Sequence, residues 1–94
     1  MGMLPLRFRI LHFLSKLEDG CVNEVFEGLK EEYGKEKFFN REDMKEDLMA
    51  MKENGLLDED RLEMDGDELL VYYKVNEEGR NLLKNYLPKE WRNK

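Results

Sequence analysis

Arg41, Lys45 and Lys52 recur at intervals of four and seven residues. At about 100° per helical residue they fall within about 40° of one another. Asn40 stands just before them, and Asn is a preferred helix N-cap. A capped helix start presents free N–H groups and the positive end of the helix dipole, and both attract anions. Asn40, Arg41 and Lys45 therefore converge on one spot where a phosphate or a base edge could sit. Lys35 and Lys37 precede that spot and are placed to hold the neighbouring backbone, and Arg61 is a further candidate for the same face. This chemistry suits a DNA duplex, because Lys and Arg neutralise phosphates and a helix carrying them can enter a major groove. The plainer reading is a solvated helix. Glu42, Glu46 and Glu53 run down the other flank, and i, i+4 pairing with such neighbours would occupy the cations.

No other constellation carries chemistry. His12 and Cys21 are the only soft metal ligands. A closed metal site needs more, so His12 reads as a solvated helix residue and Cys21 as a small residue near a helix cap. A single cysteine excludes an internal disulfide. The chain has 22 acidic residues, but none is placed by sequence in an apolar pocket that would raise its pKa. There is no nucleophile motif and no phosphate-cradling glycine loop. Neither an enzyme nor a cofactor is expected. With 94 residues the chain makes one domain, 1–94, without room for a second core. No apolar run approaches the roughly 18 residues of a membrane span. Arg7, Arg9, His12 and Lys16 interrupt the segment 4–17, so it does not read as a signal peptide's apolar region. A cytoplasmic location without membrane contact is the expectation.

The elements that must position these residues follow from periodicity. Pro5 suits the first turn of a helix. Leu6, Ile10, Phe13, Leu14 and Leu17 then fall on one stripe, while Phe8 and Leu11 lie off it. Glu18-Asp19-Gly20 ends this helix, with Gly20 as a left-handed cap. Val22, Val25, Phe26, Leu29 and Tyr33 define a second helix from about Cys21–Asn23 to Gly34. Asn40 caps a third, with Met44, Leu48 and Met51 as its buried stripe and Asn54-Gly55 as its end. Asp65-Gly66 marks a hairpin turn of type I′ between two strand-like runs, the second being the aromatic and β-branched stretch 69–75. Asn76 caps a last helix, and Pro88 ends it. The expected core is Leu6, Ile10, Phe13, Leu14, Val25, Phe26, Leu29, Met44, Leu48, Met51, Leu57, Val71 and Tyr73.

The order is helix, helix, helix, strand, strand, helix. Asn54-Gly55-Leu56-Leu57 ends the third helix and enters the first strand. The segment YYKVNEEGRNLL, with Tyr73, Val75, Asn76, Gly79, Arg80, Leu82 and Leu83 at the matching positions, resembles the Tyr-x-Leu-Thr-x-x-Gly-Arg-x-Leu-Leu phrase of small prokaryotic winged-helix regulators of the PadR and MarR type. The resemblance implies an α+β winged helix-turn-helix domain of three helices, a β-hairpin wing and an extra C-terminal helix. The helix-turn-helix would span about 21–54, the wing about 56–75 and the last helix about 77–87. It also implies a DNA-binding transcriptional regulator that reads double-stranded DNA with the third helix, through Lys35, Lys37, Asn40, Arg41, Lys45, Lys52 and Arg61. Asn76 replaces the usual Thr and preserves capping. The wing tip departs from the pattern, with Asp65, Asp67 and Glu68 where the family has Arg or Lys.

Charge distribution opposes that expectation. Residues 18–68 hold 19 acidic and 7 basic side chains, whereas the two ends together hold 3 acidic and 9 basic. An acidic middle repels a duplex and suits a basic protein partner, so the alternative is an acidic winged-helix module for protein contact, which includes a DNA mimic or a subunit of a larger complex. Assembly has two readings as well. Phe8 and Leu11 on the first helix, with Leu83, Tyr86, Leu87 and Trp91 at the C-terminal end, could build a homodimer interface. Otherwise the last helix folds back within one chain and covers Phe8 and Leu11.

Overall fold

The structure is a computed structural model and describes residues 3–92. Helices α1 (Leu6–Leu14), α2 (Val22–Tyr33) and α3 (Arg41–Glu53) precede strands β1 (Leu57–Asp65) and β2 (Glu68–Val75), and α4 (Glu77–Tyr86) follows, with a short 3-10 turn at Lys89–Trp91. This is a small α+β fold of three helices, an antiparallel hairpin and a fourth helix, a layout compatible with a winged helix.

Local chemistry accounts for most element ends. Asn40 accepts the Asp43 backbone N–H at 2.9 Å and so satisfies one free donor at the start of α3. Asn54-Gly55 ends α3, with Gly55 at φ +80°. Asn76 accepts the Gly79 N–H at 3.0 Å, and its amide also donates to the Gly55 carbonyl at 2.9 Å and to Asp58 at 3.2 Å. One side chain thus caps α4 and ties its start to the exit of α3. Asn76→Ala is expected to cost about 1–2 kcal/mol in thermal or denaturant unfolding, and Asn76→Asp to recover only the capping part, since it keeps the acceptor and loses the donors.

Three local expectations need correction. First, the hairpin turns one residue later than the Asp-Gly signal placed it. Asp65 pairs with Glu68, so the loop is Gly66-Asp67. Only Gly66 has positive φ, at +62°, the pattern of a type II′ turn with Gly at its first central position. Second, Gly20 is not a left-handed cap. Helix α1 ends at Leu14, and Gly20 exchanges two backbone hydrogen bonds of 2.9 Å with Tyr73, so that it flanks β2 as a one-residue third strand. Third, His12 is buried, at 4% exposure, rather than solvated. Its ring meets Trp91 edge-on at 5.6 Å, and Nδ1 lies 3.2 Å from the Arg9 guanidinium.

The core runs between the helices and the base of the hairpin. Ile10, Leu14, Val25, Leu29, Met44, Leu48, Met51, Leu57 and Tyr73 are buried as expected, while Leu6, Phe13, Phe26 and Val71 pack on it half-buried. Tyr33 donates its hydroxyl to the Leu4 carbonyl across this core. Helix α1 touches α2 on one side and α4 and β2 on the other. That sandwich explains its second apolar face. Leu11, Leu83, Leu87 and Trp91, candidates for a dimer surface, are all buried within the single chain. The last helix is therefore a lid on the first. Of that candidate surface Phe8 is half-buried and only Tyr86 stands out, 70% exposed. In β1, by contrast, only Leu57 is buried, and the rest of the strand projects past the core. A bulge between Glu59 and Arg61 interrupts its register.

Candidate interaction face of the third helix and the hairpin

The face flanked by α3 and the hairpin gathers Arg41, Lys45 and Lys52, three of the six cations singled out by sequence. Arg41 donates from Nε to Asn23 at 2.8 Å and from its terminal nitrogen to Glu68 at 2.7 Å. Lys45 reaches the other oxygen of Glu68 at 3.3 Å and Glu42 at 3.9 Å. Glu68, from the hairpin, thus holds both leading cations of α3. Lys52 pairs with Glu53 at 3.4 Å and with Glu59 of β1 at 3.7 Å. Arg61 lies apart from these three. It grips Asp19 at 2.8 Å, pairs with Glu63, and stacks over the Tyr72 ring at 3.8 Å. Asn40 serves its own helix and also bonds the Asp43 carboxylate at 2.9 Å. Lys35 and Lys37 sit exposed in the α2–α3 connection and make no ion pair among the described residues.

The titration behaviour follows from these pairs. The hydrogen bond from Arg41 holds the Glu68 carboxyl below the ordinary glutamate range, against a smaller opposing effect of burial. The Asp19 carboxyl is lowered in the same way by Arg61. Arg41, Lys52 and Arg61 are raised, by Glu68, Glu53 and Asp19 respectively. A carboxyl whose folded pKa is depressed contributes stability that is present above its unfolded pKa and lost as pH falls through the folded one. Links from Glu68 to α3 and from Asp19 to β1 are therefore intact at neutral pH and open on the acid side of the carboxylate range. An NMR titration of the Glu68 side-chain carboxyl should show a lower pKa in the wild type than in Arg41→Ala.

Exposed ion pairs are worth about 0–1 kcal/mol each, so a phosphate could compete for any one of these cations. The displaced carboxylate would still stay on the same face. Glu42, Glu53, Glu59 and Glu68 outnumber Arg41, Lys45 and Lys52 among the pairs of this face, and that excess persists however they rearrange. The helix periodicity revealed the cations. It did not reveal Glu68 as their shared partner, because that contact joins residues 23 or more positions apart.

Sequence reasoning also passed over the apolar side chains of this face. Met49 lies off the buried stripe of α3, and Leu62, Met64 and Leu69 lie near the hairpin tip, all four more than half exposed. For Leu62 and Met64 the signal was present as alternation of apolar and acidic residues in β1. Among the described residues no group of three or more His, Cys, Asp or Glu side chains could hold a metal ion. No helix among them is long and apolar enough to cross a membrane. Comparison with protein-family models, with curated proteins and with solved structures finds no match to this chain.

Proposed function

We propose that this protein is an acidic interaction module of winged-helix shape that binds a basic protein surface through the face flanked by α3 and the hairpin. The observation that carries the reading is the position of Glu68. The hairpin, which would grip phosphates in a DNA-binding winged helix, instead extends a carboxylate to Arg41 and Lys45, the two cations best placed to enter a groove. Lys52 is likewise engaged by carboxylates, and the exposed hairpin tip adds Glu63, Asp65 and Asp67. Such a face attracts cations and repels a phosphate backbone.

DNA binding through α3 is the second reading. It is favoured by the Asn40-capped start of α3 and by the exposed Lys35 and Lys37 just before it. A binding series with mixed genomic DNA fragments at rising salt separates the two. We expect no DNA binding even at low salt, and binding of a Lys/Arg-rich peptide that weakens as Asp65 and Asp67 are changed to Lys. DNA binding that falls steeply with salt, and that disappears in the Arg41→Ala/Lys45→Ala double variant at unchanged melting temperature, would establish the second reading instead. Glu68→Gln sharpens the contrast. It frees Arg41 and Lys45, so it should strengthen DNA binding severalfold if α3 reads DNA and leave the protein unable to bind DNA if it does not.

A further inference from the structure

Between α3 and β2 runs a groove of about 190 Å³, lined by Met49, Leu69 and Val71 with the buried Leu48 and Tyr73, and by the ion pair of Lys45 with Glu68 at 3.3 Å. Met49 is 58% exposed and Leu69 54%, so the groove opens to solvent through apolar side chains. The hairpin extends this surface. Leu62 stands opposite Val71 and Met64 opposite Leu69, and alternate strand positions share a face, which places the four side chains together. Exposed apolar patches rimmed by polar groups mark interaction sites, and Met is well suited to adapt its shape to a partner.

The size and surroundings of the groove select the occupant. Small-molecule pockets are usually 300–1,000 Å³, so this groove has room for a single large side chain rather than a ligand. The charged groups of its lining are Lys45 and Glu68; Lys45 is held by Glu68 and Glu42, Arg41 by Glu68, and Lys52 by Glu53 and Glu59, so four carboxylates stand against three cations beside the groove. A second copy of this chain would bring the same acidic face against it, and an anionic lipid surface would be repelled in the same way. Lys45, the cation of the lining, is already held by Glu42 and Glu68, and the rest of the lining offers a phosphate no second cation.

We propose that the groove receives one large apolar side chain from a Lys/Arg-rich segment of another protein, with the flanking cations of that segment lying against the acidic rim. This rests on the interaction-module reading above and adds to it an anchor point. The apolar side chain supplies affinity, and the surrounding charges supply orientation and rate of encounter.

The test uses the full chain, isotopically labelled, and three synthetic peptides of twelve residues. The first places one Phe among Lys, Arg and Ser. The second replaces that Phe by Ser at the same charge. The third keeps the Phe and replaces the cations by Glu. We expect the first peptide to bind about tenfold more tightly than the second, to shift the methyl resonances of Met49 and Leu69, and to weaken as salt rises; the third should not bind. Met49→Ser with Leu69→Ser should reduce the affinity of the first peptide to that of the second, at unchanged melting temperature. Equal affinity for the first two peptides, unaffected by the double substitution, would overturn the anchor and leave the acidic-face reading standing. Failure of both basic peptides to bind would overturn both proposals.

Discussion

Leu48→Ala is expected to lower the stability of this protein by about 2–5 kcal/mol, the range found when a well-packed leucine is truncated and its cavity stays open. Leu48 is 1% exposed on the inner face of α3, with Met44 and Met51 on the same buried stripe. For a domain of this size a loss of 1 kcal/mol moves the melting temperature by roughly 4–8 °C, so the variant should melt about 10 °C or more below the wild type. Domains of this kind have only about 5–15 kcal/mol in total, which makes Leu48→Ala one of the most damaging single changes available. Met49→Ala is the control. Its side chain is the next along the helix but points outward, and its removal should move stability by no more than about 0.5 kcal/mol. Equal effects at the two positions, measured by thermal unfolding, would mean that α3 does not present the faces described.

Gly79→Ala should also destabilise the protein, against the intrinsic preference of a helix for alanine by about 1 kcal/mol. A Cβ at this position would lie 2.5 Å from the Leu56 carbonyl oxygen, 2.7 Å from a Val75 methyl and 3.3 Å from a Leu11 methyl. The Leu56 carbonyl cannot easily withdraw. It accepts the Asn76 N–H, and it belongs to the segment joining α3 to β1. Relief must come from shifting α4 away from α1 and β2, and overpacking of this kind costs about 1–3 kcal/mol. Gly28→Ala offers the comparison. Its Cβ would meet the tip of the Phe13 ring at 2.3 Å, but Phe13 is half-buried and its ring can swing aside. The penalty at Gly28 should be smaller, and the variant can approach wild-type stability. A higher melting temperature for Gly79→Ala than for the wild type would show that α4 does not dock as closely as described.

The glycine at 79 illustrates what could be read before folding and what could not. In the sequence it belonged to the phrase resembling a winged-helix tail, and the Asn76 cap placed it in the first turn of a helix. Its physical reason is the approach of Leu56, Val75 and Leu11, residues from three other parts of the chain. The hairpin behaved similarly. Asp65-Gly66 announced a reversal, but strand register chose Gly66-Asp67 as the two loop residues, because Asp65 finds a partner in Glu68. Periodicity placed all four helices, since helix caps and apolar spacing are local properties of a few consecutive residues.

What the local code cannot express is which surfaces meet. Leu11 and Trp91 looked like material for a partner chain, and tertiary packing covers them by laying α4 and the segment after it against α1. His12 looked solvated for the same reason, since its cover comes from Trp91. The acidic excess of the middle of the chain is a sum over residues and is legible without any fold. Which carboxylate restrains which cation is a matter of distance in space: Glu68 and Arg41 are 27 positions apart along the chain and 2.7 Å apart in the structure. By itself the sequence determined the elements, their order and the acidic excess of the middle of the chain. The tertiary structure alone decided that the hairpin sets a carboxylate against the cations of α3 and leaves a small apolar groove beside them, because side chains remote in sequence interact only after the chain has closed around its core.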